Sequence, residues 1–397
     1  MTRVLDGITL WNGREERGAV RLGWAGDRIE EAASADDRHP GLAVIPGLID
    51  THVHLDTSVL DGAGAGDSWP LVTPDAEKAV HVVAHALRFA SFGVTTMRDL
   101  AASPVQIAVG RAFDQGVVDG PRLLASGPVG MTAGHGDLFT PPRFANRPPV
   151  ADSPDECRRL VRQWAREGAT GIKIYTSGGI LSMGDRVGWR NQTRAEIAAT
   201  VDEAHALRML VAAHAHTEEG IDIALEEGVD SLEHATGIVP RQFDALVASR
   251  IPVAPTLLIN DLVARGGDGI RPDAAAKARE AIDGRDPAFL AAGRAGVRFV
   301  LGTDANGRFV RHGGQLDELR AMKTAFGWSD ERTLVAGTSD AADALGLGDR
   351  LGLVEPGYAA DFVVVRARPW RDLGELTAES IVAVVSRGRL LAGSLPD

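Results

Sequence analysis

The sequence contains a single cysteine, Cys157, among 397 residues. One cysteine excludes an internal disulfide framework and is typical of a chain kept in a reducing compartment. No uninterrupted apolar stretch approaches the roughly 20 residues that a membrane-spanning helix needs. The first residues, MTRVLDGITLWNG, alternate like a strand and lack the apolar core of a signal peptide. We therefore expect a cytoplasmic protein that does not span a membrane.

Basic side chains are also scarce relative to acidic ones. Lys and Arg together number 42 against 54 Asp and Glu, which gives a net charge of −12 at pH 7. Such a balance is unsuited to the phosphate backbone of a nucleic acid or to an anionic lipid surface. We expect a small-molecule substrate as the partner, with no nucleic acid and no membrane. Whether the chain forms a homo-oligomer stays open.

From about residue 47 onwards, short apolar strands alternate with amphipathic helical stretches. This alternation is typical of α/β folds with a parallel sheet. No Gly-x-Gly-x-x-Gly follows the first strand, which disfavours an open doubly wound sheet. Eight βα units predict a TIM (β/α)8 barrel. The predicted strands cover residues 47–54, 94–99, 122–126, 171–176, 210–214, 229–234, 252–256 and 298–303.

Both ends of the chain instead show short alternating segments separated by turns, and this pattern predicts β-hairpins. The simplest architecture pairs them into one small β-sandwich beside the barrel. We therefore predict that residues 1–46 and 349–397 build the β-sandwich domain and that residues 47–348 build the catalytic barrel.

The first barrel strand carries His52 and His54 in the stretch PGLIDTHVHLD. Strand side chains alternate between faces, so both imidazoles leave on the same side. Two neutral imidazoles on one rigid face are a common beginning of a transition-metal site. Taken alone, the pair is equally compatible with a chance pairing on a solvated strand.

Further metal-capable residues end other predicted strands. His214 ends the fifth, His234 the sixth, and Asp304 follows the eighth. In a barrel these ends converge on one mouth, so residues far apart in sequence become neighbours. Four histidines and an aspartate at one mouth are difficult to explain as solvated surface, and we predict a metal site there.

The fourth strand contains Lys173 in GIKIYTSGG. Ile172 and Ile174 are expected to face the helices, so that Lys173 and Tyr175 point into the barrel. A charged lysine there is costly unless it is paired or neutralised. One alternative is a salt bridge to Asp304. The other is reaction of the amine with CO₂, which gives an anionic carbamate able to bridge two divalent metals, and the position favours this second alternative.

The stretches PGLIDTHVHLD, IKIYTSGG, VAAHAHT, SLEHAT and LGTDA, in this order, resemble the amidohydrolase superfamily. The closing LGLVEPGYAADFVVV resembles the C-terminal β segment of that superfamily. The Ser-Gly-Gly after the lysine strand and the Gly134-His-Gly-Asp137 loop resemble its Xaa-Pro dipeptidase (prolidase-like) and ochratoxinase-like branch. The resemblance covers essentially the whole chain.

This resemblance implies a set of ligands for two divalent ions. His52, His54 and Asp304 would hold one metal, His214 and His234 the other, and carboxylated Lys173 would bridge them. Because His214 and His216 face the same way, the fifth-strand assignment is the loosest, and the superfamily pattern points to His214. Zinc is the first choice of metal, and manganese or cobalt would also suit these ligands.

The implied reaction is hydrolysis of an amide bond in a small substrate bearing a carboxylate, such as an Xaa-Pro or other dipeptide or an N-acyl amino acid. A hydroxide shared by the two metals would attack the carbonyl, and Asp304 would transfer its proton to the departing amine. For substrate binding we predict His135, Tyr175 and His216. The determinants of specificity are expected in residues 55–73 and 127–155 and in the segment after Asp304.

Three alternatives remain. Hydrolysis of a cyclic amide, a lactone or an ester would use the same metal centre. A deaminase is less favoured, because such relatives usually place a glutamate where this chain has His216. A non-catalytic scaffold on the same fold is remote, because scaffolds of this kind normally lose metal ligands and all six are present.

Overall fold

The computed structural model describes residues 2–60, 68–145 and 147–396. Within them no helix is both long and apolar enough to cross a bilayer. Residues 61–67 of the predicted specificity stretch, and the two terminal residues of the predicted β-sandwich domain, lie outside the described ranges. The strands are β1 (Arg3–Trp11), β2 (Glu16–Ala25), β3 (Arg28–Ser34), β4 (Ala43–Pro46), β5 (Leu48–Val53), β6 (Val94–Leu100), β7 (Arg122–Pro128), β8 (Gly171–Tyr175), β9 (Leu210–Ala215), β10 (Ser231–His234), β11 (Val253–Ala254), β12 (Phe362–Val365), β13 (Ile381–Ser386) and β14 (Arg389–Gly393).

Helices fill the intervals between the barrel strands and continue beyond them. The amphipathic patterns at residues 75–92, 154–167, 194–208 and 218–227 predict helices. The helix at 154–167 is confirmed at both ends, and the other three end one or two residues early. The α-helices are α1 (Trp69–Val72), α2 (Asp75–Ser91), α3 (Pro104–Asp114), α4 (Pro154–Glu167), α5 (Arg194–Ala206), α6 (Glu218–Glu226), α7 (Phe243–Ser249), α8 (Leu257–Arg265), α9 (Pro272–Ala281), α10 (Arg285–Ala295), α11 (Gly314–Phe326), α12 (Asp330–Ala336) and α13 (Ser339–Ala344).

Strands β5 to β11 form one parallel sheet in which each strand is hydrogen-bonded to the next along the chain. This arrangement confirms the parallel barrel. Ile172 and Ile174 of β8 belong to the main apolar cluster, together with Leu160 and Val161 of α4. Lys173 and Tyr175 face the interior, as the alternation of strand side chains predicts.

The predicted eighth strand is different from the other seven, because residues 298–303 form no regular ladder. Isolated bridges join Phe299 to Val253 of β11 and Ala305 to Val53 of β5. The amide of Thr51 donates to the carbonyl of Leu301 at 2.9 Å, so this segment still connects the two edge strands. The prediction of a strand there is therefore corrected to an irregular closing segment. Gly302 lies so close to β5 and β11 that a Cβ there would be 2.7 Å from the Ala254 methyl carbon.

The terminal strands form a second, mixed sheet in the order β14-β13-β12-β4-β1-β2-β3. Trp24 of β2 and Phe362 of β12 make an edge contact with ring centroids 5.1 Å apart. Their strands are separated by β4 and β1, and neighbouring strands lie roughly 4.8 Å apart, so a flat sheet would keep these rings well separated. The sheet therefore curls onto itself around an apolar core, in the manner of a sandwich. The chain passes from β4 to β5 at Gly47, where a Cβ would lie 2.1 Å from Thr95 Oγ1.

Candidate metal centre and substrate cavity

The carboxyl ends of the barrel strands surround a cavity of about 820 Å³. All nine side chains predicted for metal or substrate binding line this cavity. They are His52, His54, His135, Lys173, Tyr175, His214, His216, His234 and Asp304. The irregular segment after β7 also contributes to the wall, through Phe139, Phe144 and Arg147. The structure thus brings together the whole predicted set, on the face where barrel enzymes carry out their chemistry.

The backbone is unusual at the same strand ends. Ala101, His234, Thr256 and Asp304 have φ values of 65°, 71°, 47° and 54° respectively. Residues other than glycine adopt this left-handed conformation at a cost of order 1–3 kcal/mol, and such residues cluster at functional sites. At these sharp turns the chain changes direction, and the side chains of His234 and Asp304 point into the cavity.

His52, His54 and Asp304 form the first cluster, which we call the aspartate group. Their ligand atoms all lie within 4.8 Å of one another. His54 Nε2 is 3.3 Å from His52 Nε2 and 3.1 Å from Asp304 Oδ1. Ligands about 2.1 Å from one ion in a tetrahedral site are about 3.4 Å apart, so these separations fit a shared metal. Burial opposes a charged His54, but the hydrogen bond and charge of Asp304 outweigh it and raise the pKa of His54 to about 9.

A buried carboxylate orients His52. His52 Nδ1 donates to Glu233 Oε2 at 2.8 Å, so its Nε2 faces the aspartate group. Arg98 in turn donates to Glu233 Oε1 at 2.7 Å and to the Thr51 carbonyl at 2.7 Å. Burial disfavours the Glu233 carboxylate, but Arg98 and His52 hold its pKa below the ordinary value. A carboxylate behind a ligating histidine fixes its tautomer and increases its basicity.

His214, His216 and His234 form the second cluster, which we call the imidazole group. One ring nitrogen of each lies within 4.8 Å of the others. His216 and His234 are stacked with centroids 4.6 Å apart, and the edge of His214 approaches both rings at 4.7 Å. All three rings are buried. Burial lowers the pKa of His216 to about 3, and it lowers those of His214 and His234 well below the ordinary value. The rings are therefore neutral and hence competent as ligands at neutral pH.

Lys173 lies inside the barrel with 2% of its surface exposed. Its Nζ makes no hydrogen bond to Asp304 or to any other residue that the structure describes. The predicted alternative of a hydrogen-bonded salt bridge to Asp304 is thus not observed. Burial lowers the pKa of Lys173 to about 8, which increases the fraction of free amine near neutrality. An orphaned buried amine beside two groups of metal-capable side chains fits a lysine that is carboxylated when metals are bound.

His135 and Tyr175 lie next to the imidazole group. The His135 ring stacks on His214 with centroids 4.3 Å apart, and Tyr175 meets the edge of His135 at 5.4 Å. His135 Nδ1 is 2.9 Å from Ser182 Oγ, whose hydroxyl donates to Asp185 at 2.7 Å. Its Nε2 has no hydrogen-bond partner in the described part of the chain. The Ser-Gly-Gly motif makes room for this ring, because a Cβ on Gly179 would lie 1.9 Å from it.

The rest of the wall combines apolar surface with basic side chains. Apolar members include Trp69, Phe139, Phe144, Ile180 and Ile270. Arginines 147, 271, 308 and 311 and Lys78 also line the cavity. Some of these bases have fixed partners, since Arg147 pairs with Asp137 and Lys78 with Asp75 at 2.6 Å. An apolar cavity edged by bases is suited to an organic anion.

Sequence reasoning missed the residues that support the site from behind. Arg98 had a usable signal, because a charged residue in the strand VTTMRDL must be paired when the strand is buried on both faces. Ser182 and Asp185 had no comparable signal, because they come from an irregular loop. Glu233 contacts His52 across the barrel rather than its neighbour His234.

Known proteins resemble this chain along most of its length. The chain is 28% identical to ochratoxinase from Aspergillus niger over 377 residues, covering 89% of this chain and 76% of that protein. A crystal structure of an Xaa-Pro dipeptidase with bound methionine superposes with a TM-score of 0.86 at 28% identity, covering 98% and 99% of the two chains. A prolidase complexed with N-methylphosphonate-L-proline has a TM-score of 0.87 at 28% identity, with coverage of 98% and 99%.

The sequence model of the amidohydrolase family extends across the barrel and the part of the terminal sheet that begins at β4. It matches residues 43–391, from β4 to β14, and so includes both groups of metal-capable residues and Lys173. A match over this much of the chain shows common descent and not only a shared barrel. The protein therefore belongs to the amidohydrolase family of hydrolases.

Proposed function

We propose that this protein is a two-metal amidohydrolase that cleaves the amide bond of a small substrate bearing a carboxylate, such as an Xaa-Pro or other dipeptide or an N-acyl amino acid. The observation that carries the proposal is the buried Lys173 amine, which has no hydrogen-bond partner among the described residues and shares one cavity with the aspartate group and the imidazole group. The basic side chains of the cavity wall, which outnumber its aspartates, support a small anion as substrate.

His52, His54 and Asp304 would hold one divalent ion, and the imidazole group would provide ligands for the other. Lys173 Nζ would add to CO₂ with loss of one proton, and the resulting carbamate would supply anionic oxygens to both. When bound, two such ions supply Lewis acidity and a nucleophile derived from water at neutral pH. Zinc is our first choice, and manganese or cobalt would suit the same ligands.

Asp304 is the proposed catalytic residue of the chain itself. Its Oδ1 lies in the aspartate group, 3.1 Å from His54 Nε2. There it would accept a proton from the attacking water as the C–O bond forms and return it to the amide nitrogen as the C–N bond breaks. The products are a carboxylic acid and an amine, and Asp304 ends the cycle as it began.

His135 and Tyr175 are the proposed contacts for the substrate carboxylate. His135 Nδ1 donates to Ser182, whose hydroxyl donates to Asp185, so Nε2 would donate to the carboxylate from a protonated ring, which the negative charge of Asp185 3.5 Å away favours. The Tyr175 side chain lies against the same loop, where a Cβ on Gly136 would be 2.9 Å from its hydroxyl oxygen. We expect the apolar wall to bind the side chain or acyl group of the substrate, and this arrangement would orient the amide toward the metals.

The test is product release from a panel of dipeptides and N-acyl amino acids, with enzyme reconstituted with zinc and bicarbonate. We expect free amino acid from some members of the panel, and we expect Lys173→Ala to abolish it. The matched control is Lys323→Ala, because Lys323 is 38% exposed and pairs with Asp330 on the outside of the fold. Absence of turnover across the panel, with two metals still bound, would redirect the assignment to cyclic amides, lactones or esters.

A further inference from the structure

The imidazole group contains one histidine more than the two-metal arrangement requires. His214 and His234 complete that arrangement with Lys173, and His216 was predicted to contact the substrate. Yet His216 lies within the group, 4.6 Å from His234 and 4.7 Å from His214 between ring centroids. Its exposed fraction is 4%, the same as that of His234. His216 is therefore arranged like a ligand.

Hydrogen bonds determine which nitrogen of His216 is free. The Thr236 hydroxyl donates to the His216 carbonyl at 3.3 Å, so its oxygen accepts from His216 Nδ1 at 2.9 Å. The proton is therefore on Nδ1, and His216 Nε2 has an unshared electron pair. The hydroxyl acts as the oxygen partner that ligating histidines usually have behind them.

The other two rings are held in the same manner. His214 Nε2 lies 3.1 Å from the Gly178 carbonyl, which can only accept, so the lone pair of His214 is on Nδ1. His234 Nδ1 lies 2.7 Å from Thr256 Oγ1, and this contact leaves its Nε2. Among the described residues, no hydrogen bond joins one ring of the group to another. One ring nitrogen of each of the three buried rings lies within 4.8 Å of the others, and three neutral imidazoles this close suit a shared divalent cation.

From these contacts we infer that His216 is a third imidazole ligand and that the imidazole group binds one divalent cation without the Lys173 carbamate. Three neutral histidines are a complete protein ligand set for zinc, with a fourth position left open. The inference rests on the proposed two-metal function and deepens it, because it frees one ion from dependence on the carbamate. That ion needs only the three histidines, and the carbamate would join the two sites once Lys173 has reacted with CO₂.

The experiment measures zinc bound to the full chain in the absence of CO₂. Metal-free Lys173→Ala protein is titrated with zinc against a competing chelator, and zinc per chain is measured after gel filtration. We expect about one zinc per chain. Adding His216→Asn to this variant should weaken that binding by at least about 10-fold, which is the lower end of the effects seen when the environment of a metal is disturbed. The matched control is His205→Asn, which alters a histidine with 44% of its side chain exposed on α5.

Two results would overturn the inference. Lys173→Ala without any bound zinc would mean that the carbamate is required, and unchanged affinity after His216→Asn would remove His216 from the ligand set. A second measurement does not use the His216→Asn substitution, so misfolding of the double variant cannot explain its result. In ¹⁵N-histidine spectra of Lys173→Ala, zinc should shift the Nε2 signal of His216, and an unmoved signal would reject the assignment. Failure of the proposed function has a different signature, namely full metal binding with no amide hydrolysis.

Discussion

The two groups of metal-capable residues in one cavity are built on opposite electrostatic plans. The aspartate group includes a carboxylate, and a second carboxylate, Glu233, supports His52 from behind. The imidazole group has only neutral rings, supported by two hydroxyls and a carbonyl oxygen. The pKa of His54 is raised, whereas burial lowers the pKa of His216 and also that of His52 within the aspartate group. The same residue type thus serves two sites of different charge, and His54 is the ring whose pKa the carboxylate of Asp304 raises.

This difference assigns distinct roles to the groups. A site with its own negative charge attracts cations and can exchange protons, which is what the role proposed for Asp304 requires. A site of buried neutral rings suits a metal that remains bound. The comparison therefore predicts that changes in the aspartate group mainly affect turnover, whereas changes in the imidazole group mainly affect metal retention.

The largest effect is expected for Asp304→Asn. This change removes both the charge of the aspartate group and the proposed proton acceptor, so kcat/KM should fall by at least about 10³-fold. Steady-state kinetics on a substrate found in the panel would measure it, with zinc per chain determined in parallel. Asp119→Asn is the control, because Asp119 is 62% exposed and pairs with Arg389 away from the cavity. A loss below tenfold would show that Asp304 does not carry the proton.

Glu233→Gln should have the next largest effect. A glutamine cannot accept hydrogen bonds from both His52 and Arg98 with two oxygens, so one donor is left unsatisfied. We expect zinc affinity at the aspartate group to fall by about 10–100-fold and the imidazole group to be unaffected. A stepwise zinc titration with ¹⁵N-histidine spectra would show which rings lose their metal.

The control for this change is Glu203→Gln, which breaks an ion pair with Arg162 on the helical surface. A drop in thermal stability without a change in affinity would mean that Glu233 only compensates the buried charge of Arg98. Weaker binding at the imidazole group would contradict the separation of the two groups.

In the metal-free protein, His216 and His54 should show opposite pH dependences, whereas His52, whose pKa burial lowers to about 4, should behave like His216. The pKa of His216 is about 3 in the folded state and about 6.5 when unfolded, so the unfolded chain gains a proton first as the pH falls. Folding stability should thus decrease by up to about 2 kcal/mol between pH 7.5 and 5 through this residue. Urea unfolding of chelator-treated wild type and of His216→Gln would measure this effect. The difference between their free energies of unfolding should change by this amount over the same pH range.

The contribution of His54 to folding stability should depend on pH in the opposite direction. Its folded pKa of about 9 lies above the unfolded value, so its contribution to stability is complete below about pH 6.5 and is lost as the pH rises through 9. The stability gap between wild type and His54→Gln should therefore shrink from pH 6.5 to 9.5. If the two differences in unfolding free energy changed in the same direction with pH, the electrostatic comparison would be refuted.

Much of this site could be predicted because barrel geometry converts sequence position into spatial position. A histidine or aspartate at the carboxyl end of any strand reaches the same mouth, so His52, His214 and Asp304 could be placed without knowing how the strands pair. The inward orientation of Lys173 follows equally from strand alternation, whereas its lack of a hydrogen-bond partner among the described residues does not.

The remainder depends on contacts across the barrel that one-dimensional patterns do not encode. Arg98 of β6 meets Glu233 of β10, and neither residue signals the other in the sequence. The closing segment at residues 298–303 is irregular because Gly302 packs closely against both edge strands, which apolar patterning does not reveal. The position of His216 is a further case, because alternation predicts its face but not the hydroxyl of Thr236 that orients its ring.

The smallest effect is expected for Thr256→Val, which tests the support of the imidazole group. The substitution keeps the shape of the side chain and removes the hydroxyl 2.7 Å from His234 Nδ1. A neutral hydrogen bond contributes about 1 kcal/mol, so zinc affinity at this group should fall by about fivefold. The same chelator competition applies, and the loss should be smaller than that for Glu233→Gln, because a carboxylate makes the stronger hydrogen bond. A larger loss for Thr256→Val would mean that ring orientation, and not the charge of the supporting oxygen, determines how firmly each group holds its metal.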